Sequence, residues 1–317
     1  HDLNALVRTN DDSQANRMRL ARRPPALARW LLSLLAALPV AGQAAVELPQ
    51  PGRPPLVLEA PAERLITLSP HLAELVYAAG AGDRLLATVE YSDYPDAAKA
   101  LPRVGDAFRL NVEAIVAFRP DLVIAWGSGN PDAALTQLAS LGLTVWAVEI
   151  RSPAGIAATL RRIGAATASR GTAEQAALRV EDRLAALGRR YAGAKPLDYF
   201  YQVDRRPLFT INGDHLISQG LALCGGRNIF AGEPGLAFQV AHEAVITADP
   251  AALLAPFTEG RGDPLIDWRH WPSMRAVRAD ALFLLPADTI SRATPRWLDS
   301  LELACTLLDG LRDREQP

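Results

Sequence analysis

The sequence predicts an α/β protein of two β/α sandwich lobes joined by one long helix, with a ligand cleft between the lobes. Strand-like and helix-like apolar segments alternate in two separate series, and the strands are apolar throughout, as in parallel sheets covered by helices on both faces. Between the two series lies one amphipathic segment of about twenty residues, which would extend roughly 30 Å as a helix. The predicted bounds are 62–168 for the first lobe, 172–191 for the linking helix and 195–312 for the second lobe.

The first series begins with the strand RLITL, and a helix follows it from Pro70 to just before Gly80. Proline is favoured in the first turn of a helix and glycine directly after its end. Further strands are predicted in LLATV, DLVIAW and TVWAVE, and further helices in NVEAIVAF, PDAALTQLASLG and SPAGIAATLRRIGAATA.

The linking helix is predicted to open with a capping box of Thr172 and Gln175. Its apolar stripe fits an ordinary lobe helix nearly as well as a strut between lobes. In the second series the predicted strands are LDYFYQV, LFTIN, AALLAP and ALFLLP, and the predicted helices are HLISQGLALCGG, EAVITA and PRWLDSLELACTLLDGL.

Residues 1–44 are predicted to be an upstream segment and a secretory signal peptide. Arginines follow Met18, eleven apolar residues run from Trp30 to Val40, and small residues lead to an expected cleavage after Ala44. A membrane anchor is the alternative, but spanning a bilayer takes about 20 apolar residues. We therefore expect an exported protein, and the lack of a cysteine near the cleavage site favours a free protein over a lipid-tethered one.

The composition argues against several classes of function. Charged residues are 21% of the chain and the formal net charge is −2, so there is no basic surplus for nucleic acid. The chain has no phosphate-binding loop and no zinc helix, AWGSGN lacks the first glycine of a nucleophile elbow, and the histidines lack metal-ligand spacing. We expect no enzyme, no protein-bound metal and no resident cofactor, with an exported metal-assisted hydrolase as the alternative.

One segment recurs in altered form. VEAIVAFRPDLVIA contains Glu113 and Pro120, and HEAVITADPAALLA contains Glu243 and Pro250 at the same spacing. Each copy predicts a helix that leads into a strand. Chance similarity between two helix-to-strand units is as good an interpretation as a true repeat on this pattern alone.

Aromatic residues lie where predicted strands end, although they are only 6% of the chain. The ligand crevice of an open parallel sheet lies beyond the carboxyl ends of its strands, so these rings would line a cleft for a large, flat, partly apolar ligand. The alternative is that each ring caps the core of its own lobe. The rings in question are Tyr91, Tyr94, Phe108, Trp126, Phe209 and Phe238.

Several of these segments resemble a known family. RLITLSPHLAELVYAAG, YSDYP, LALCGGRNIF and SRATPR resemble the periplasmic cobalamin-binding proteins of vitamin-importing ABC transporters, in order over most of residues 64–310. The resemblance implies a monomeric protein that binds cobalamin or another corrinoid noncovalently between two lobes and delivers it to permease subunits of the inner membrane. A haem or ferric-siderophore binding protein of the same fold is the alternative, with Tyr91 or His71 as the axial ligand of a haem.

The resemblance also assigns residues. Tyr91, Trp126 and Phe209 match the aromatics that contact the corrin, whereas Phe108 and Phe238 stand one place beyond the family tryptophans, which align with Ala107 and Ala237.

Charged and sulfur-containing residues are assigned in the same way. Asp288 and Arg292 match a pair that faces the corrin amides, although a surface ion pair between residues i and i+4 explains them as well. Glu113 and Glu243 match one docking glutamate per lobe for the two permease subunits, and the only two cysteines, Cys224 and Cys305, match a disulfide. An even pair in an exported protein also predicts a disulfide by itself, with free buried thiols as the alternative.

Overall fold

A computed structural model describes residues 45–315, so the predicted signal peptide lies outside the described residues. The described chain begins with an antiparallel hairpin that the sequence analysis missed, formed by β1 (Val46–Gln50) and β2 (Arg53–Leu58). The hairpin lies along one edge of the first lobe, where the indole N–H of Trp146 donates to the carbonyl of Pro49 at 3.0 Å. An edge strand covered in this way is protected from pairing with another chain.

The first lobe is a parallel sheet with helices, as the alternation of apolar segments predicts. Its strands are β3 (Leu65–Thr67), β4 (Leu85–Ala87), β5 (Leu122–Trp126) and β6 (Val145–Val148), in the spatial order β4-β3-β5-β6. Its helices are α1 (Pro70–Ala78), α2 (Val112–Ala117), α3 (Asp132–Ser140) and α4 (Pro153–Ala166).

The helix α5 (Arg170–Arg190) lies in the chain between the two lobes. It begins two residues before the predicted start and Ser169 precedes it without a side-chain cap, so the predicted capping box at Thr172 is wrong. The side chain of Thr172 instead packs on Gly80, where an added Cβ would lie 2.7 Å from Cβ of Thr172. Buried alanines at 173, 176 and 177 face the core and let α5 pack closely on α4.

The second lobe repeats the sheet of the first. Its strands are β7 (Leu197–Tyr201), β8 (Asp204–Arg205), β9 (Leu208–Ile211), β10 (Gly226–Asn228), β11 (Ala237–Gln239), β12 (Ala252–Phe257) and β13 (Leu282–Pro286). Its helices are α6 (Leu216–Ala222), α7 (His242–Ala248), α8 (Arg275–Arg278), α9 (Ala287–Ile290) and α10 (Trp297–Glu315). Four strands form a parallel sheet in the order β10-β7-β12-β13.

Both parallel sheets have one topology, because each places its second strand at one edge, followed by its first, third and fourth. The recurring sequence segments form α2 with β5 and α7 with β12, and β5 and β12 are the third strands of their sheets. Similar sequence therefore coincides with an equivalent place in the fold. The predicted strand LFTIN differs, since it is β9 of a separate antiparallel sheet, β11-β9-β8. The short connection between β8 and β9 allows only antiparallel pairing.

The predicted disulfide between Cys224 and Cys305 is present, with a Cα–Cα distance of 5.5 Å. It joins the end of α6 to α10, and both cysteines are fully buried. Across residues 45–315 we find no helix with the length and apolar character needed to cross a membrane.

Candidate ligand-binding cleft

A cavity of about 730 Å³ lies between the two lobes, with wall residues from both. Its wall begins directly beyond the carboxyl ends of the parallel strands. His71 follows β3, Trp126 ends β5, Ile150 follows β6, Tyr201 ends β7 and Pro256 belongs to the end of β12. This placement is the one that parallel-sheet topology predicts for a ligand site.

Trp126 is held in the wall by its neighbours in the following turn. The carboxamide oxygen of Asn130 accepts the backbone N–H of Trp126 at 2.7 Å, and its NH₂ group donates to the carbonyls of Leu68 and Ala107, each at 2.8 Å. Buried Asn130 thus joins the ends of β3 and β5 to the loop that contains Ala107. The indole also packs edge-to-face on the imidazole of His71, with ring centroids 5.4 Å apart.

Phe108 lies on a tight loop at the mouth of the cavity, and 67% of its surface is exposed. The loop begins at Gly105, whose φ of +104° is one that residues with a Cβ rarely adopt. An added Cβ there would lie 2.1 Å from the carbonyl oxygen of Arg109. The carboxylate of Asp106 then accepts the backbone N–H groups of Phe108 and Arg109, each at 2.8 Å, and fixes the turn. The exposed phenyl ring is therefore presented by an ordered backbone.

Tyr91 lies at the same mouth in an unusual conformation. Its φ is +66°, in the left-handed region, and 70% of its surface is exposed. A non-glycine residue in this region costs about 1 kcal/mol or more, so surrounding contacts must hold it there. Its carbonyl accepts a hydrogen bond at 3.0 Å from Nη2 of Arg292, which belongs to the other lobe.

Arg292 lines the cavity but is already paired, whereas Asp288 lies outside the wall. The carboxylate of Asp288 contacts Nη2 of Arg292 at 2.9 Å and Nη2 of Arg296 at 3.1 Å. The i, i+4 ion pair that the sequence left open is thus present, and it neutralises the guanidinium beside the cavity. Contact between either side chain and a ligand stays a prediction.

Phe209 and Phe238 do not belong to the wall of this cavity. They lie on the paired strands β9 and β11, where Phe238 packs edge-to-face on Phe230 with centroids 6.0 Å apart. Side chains alternate between the two faces of a strand, so the neighbouring Ala237 occupies the cavity face instead. Ala107 also lines the cavity, and both positions where the resemblance expected tryptophan therefore present a methyl group to it.

Two histidines line the cavity, one from each lobe. Burial, and next the positive charge of Arg292, lower the pKa of His71 from 6.5 to about 4. Burial lowers the pKa of His215 from 6.5 to about 4 as well. Nδ1 of His215 accepts the backbone N–H of Ile217 at 3.2 Å, which leaves the proton of the neutral ring on Nε2. Both side chains are therefore neutral near pH 7.

Acidic groups outnumber basic groups in the wall. Four carboxylates and two guanidinium groups line it, and they belong to Glu90, Asp106, Glu149, Asp214, Arg151 and Arg292. Arg151 has Glu149 at 3.9 Å, and Arg292 has its own carboxylate partners. The wall therefore suits a ligand that donates hydrogen bonds better than a ligand with several negative charges.

Glu113 and Glu243 are exposed in the first turns of α2 and α7. A helix that leads into a strand of a parallel sheet starts at the carboxyl-end edge of that sheet, so each glutamate lies toward the edge where the cleft opens. In the described part of the chain neither forms an ion pair within 4.0 Å.

Comparison with known proteins covers the same region. A model of the periplasmic binding protein family matches residues 65–289, which is most of the chain. The chain belongs to the periplasmic binding protein family.

Within the family, the chain is 38% identical to the vitamin B12-binding protein of Vibrio cholerae over 249 residues, 78% of this chain and 90% of that protein. It is 38% identical to the vitamin B12-binding protein of Yersinia pestis over 244 residues, 77% of this chain and 85% of that protein.

Solved structures agree with the fold. The crystal structure of the periplasmic vitamin B12-binding protein of Vibrio cholerae aligns with a TM-score of 0.73 at 38% identity, covering 80% of this chain and 98% of that one. The periplasmic heme-binding protein of the same species aligns with a TM-score of 0.68 at 22% identity, covering 77% and 98%. The second likeness bears on the fold alone.

The sequence analysis missed several residues that build this site. Asn130 was overlooked although it follows the glycine-rich turn after β5, a place where a side chain that bonds to the backbone is common. Asp106 carries a similar signal in GDAFRLN, because Asp before a turn accepts backbone N–H groups. Glu74 does not line the cavity but bonds Arg292 and Arg296, and it carries no local signal because both arginines are more than 200 residues away in sequence.

Proposed function

We propose that this protein is a periplasmic binding protein that captures cobalamin or a related corrinoid between its lobes and delivers it to an ABC transporter permease. One observation carries the proposal. The cavity between the lobes is lined by the rings of Tyr91, Phe108 and Trp126, in a chain 38% identical to a vitamin B12-binding protein over most of both lengths.

The chemistry of the wall supports a corrinoid. A corrin is a large ring with apolar faces and a rim of amide side chains, and amides offer both donors and acceptors. Exposed aromatic rings suit the apolar faces. The carboxylates of Glu90 and Asp214, which form no ion pair within 4.0 Å among the described residues, suit amide N–H groups. The methyl groups of Ala107 and Ala237 leave room beside the ring, which favours a bulky or modified corrinoid.

Haem is the competing ligand of the same fold, and the charges of the wall argue against it. Haem carries two carboxylates, which would enter a wall with more carboxylates than guanidinium groups. Neutral His71 is the feature that would favour haem, because an uncharged imidazole can ligate iron.

In this proposal the protein acts in the periplasm as a monomer, carries no resident cofactor and catalyses no reaction. Delivery would use Glu113 and Glu243, one exposed carboxylate on each lobe, in the first turns of the equivalent helices α2 and α7. A receptor with two similar subunits requires a similar charge at two similar places.

The test is a titration of residues 45–317 with cyanocobalamin, cobinamide and haemin, in which binding is measured by tryptophan fluorescence and by calorimetry. We expect saturable binding of at least one corrinoid with a submillimolar or lower dissociation constant, and weaker binding of haemin. Saturation by haemin with a shifted Soret band, and none by either corrinoid, would replace cobalamin by haem as the ligand. Absence of binding to all three would refute the proposal.

A further inference from the structure

The carboxylate of Glu74 is a buried anion at the contact between the lobes. Glu74 lies within α1 of the first lobe, and 2% of its side chain is exposed. It accepts hydrogen bonds from Nη1 of Arg292 at 3.0 Å and from Nε and Nη2 of Arg296 at 3.0 and 2.8 Å. Both arginines belong to the second lobe, so one carboxylate holds two cations of the opposite lobe.

The same two arginines make further contacts across the lobes. Nη2 of Arg292 donates to the carbonyl of Tyr91 at 3.0 Å, and the guanidinium of Arg296 lies 3.8 Å from the ring centroid of Tyr94. Asp288 supplies a second carboxylate to both arginines, but it is 54% exposed and belongs to their own lobe. Two carboxylates, those of Glu74 and Asp288, thus face the two guanidinium groups.

The contacts lead from Glu74 to the mouth of the cavity. Glu74 orients Arg292, and Arg292 holds the carbonyl of Tyr91, whose left-handed backbone requires outside support. Tyr91 and Arg292 both line the cavity, whereas Glu74 does not. A change at Glu74 can therefore alter ligand binding only through these neighbours.

We infer that Glu74 is a positioning residue that ties the two lobes together through Arg292 and Arg296 and thereby sets Tyr91 over the bound ligand. The inference rests on the proposed function for the identity of the ligand, a corrinoid. It concerns how long the ligand is retained, because a contact between lobes at the mouth of a cleft opposes opening.

The experiment compares Glu74→Gln with wild type and with Glu302→Gln. Glutamine keeps the shape of the side chain and removes the charge. Glu302 provides the matched control, because it bonds Arg183 at 2.8 Å between α5 and α10, away from the cavity. Stopped-flow mixing with cyanocobalamin measures the association and dissociation rates of each protein.

We expect Glu74→Gln to raise the dissociation rate at least about 30-fold and to change the association rate less than threefold, as when a buried charge loses its partner. Glu302→Gln should leave both rates unchanged. Equal dissociation rates for Glu74→Gln and wild type would overturn the inference.

Two additions keep the test decisive. Glu74→Gln with Arg296→Gln restores the charge balance, so it should fold even where the single variant fails, and it should still release the ligand faster than wild type. Spin labels on the two lobes report the distance between them in ligand-free protein. In Glu74→Gln the distribution of distances between the labels should be broader, or shifted to longer distances, than in wild type. An unchanged distribution would count against a contact that holds the lobes together, even where corrinoid binding itself fails.

Discussion

The ring of Trp126 packs directly on the backbone of Gly129, so closely that a Cβ added to Gly129 would lie 1.9 Å from Cε3 of the indole. Real Cβ contacts do not approach this distance. A side chain at residue 129 would therefore displace the indole from the wall of the cavity. The glycine is required here by close approach and not by its φ.

Gly129→Ala should lower affinity for cyanocobalamin about 5- to 30-fold, because loss of a well-placed aromatic contact costs of order 1–2 kcal/mol. Calorimetry measures the affinity, and near-ultraviolet circular dichroism reports the moved indole. Gly188→Ala is the matched control, since an added Cβ in α5 meets nothing within 4 Å. It should stabilise the helix by up to about 1 kcal/mol and leave affinity unchanged. Wild-type affinity in Gly129→Ala would contradict a binding role for Trp126.

The disulfide should matter for stability and not for the cleft. Replacing Cys224 and Cys305 by alanine should lower the free energy of unfolding by about 2–5 kcal/mol, because the bond closes a loop spanning 81 residues of sequence separation. Urea unfolding in oxidising buffer measures the loss, and cyanocobalamin affinity should change less than twofold. Reduced wild-type protein should resemble the double variant. If neither reduction nor the double substitution changes the free energy of unfolding, the disulfide does not stabilise the fold.

Local sequence patterns predict more of the fold than of the candidate site. Most strands and helices of the two lobes follow from apolar periodicity and from Pro70 and Gly80 as helix signals. The sequence analysis did not predict the short elements β8, β10, β11, α8 and α9, which have only two to four residues each and so show too little periodicity. The β1–β2 hairpin was missed because prolines at 49, 51, 54 and 55 obscure a strand pattern. Gly52 at its turn, with φ +62°, carried the usable signal.

The site depends on choices that a local pattern cannot make. In the three residues of β11, a shift of one position decides whether Phe238 or Ala237 faces the cavity, and the apolar pattern suits both. Asp288 and Arg292 can be recognised in the sequence as a pair at i and i+4, but Glu74, which also bonds Arg292, lies 218 residues away from it. Contacts between residues so far apart in sequence arise from the packing of the two lobes, and no single sequence segment predicts them.

The two histidines of the cavity predict a loss of stability in mild acid. The folded protein keeps His71 and His215 neutral down to about pH 4, whereas an unfolded chain protonates histidine near pH 6.5. Below pH 6.5 the unfolded state therefore binds more protons, and stability falls as the pH goes from about 6.5 to 4. The loss should reach about 3 kcal/mol per histidine by pH 4.

Urea unfolding of ligand-free protein at pH 7.5 and 4.5 measures this loss. His71→Gln with His215→Gln cannot take up the protons, so its stability should fall less than that of wild type over the same interval. His270→Gln removes an exposed imidazole and should follow wild type. Parallel losses in wild type and the double variant would mean that these two histidines do not set the pH dependence.

Transport should depend on charges that ligand binding does not need. Glu113 and Glu243 are exposed at equivalent places in the two lobes and do not line the cavity. Glu113→Arg with Glu243→Arg should therefore leave cyanocobalamin affinity within twofold of wild type and abolish uptake by proteoliposomes that contain the permease, because a docking surface of reversed charge repels its receptor.

Glu59→Arg with Glu259→Arg makes the same change in net charge at two other exposed glutamates and should transport normally. Equal inhibition by both pairs would indicate a general effect of net charge, and lost affinity in the first pair would place these glutamates in the fold or the ligand site instead of the docking surface.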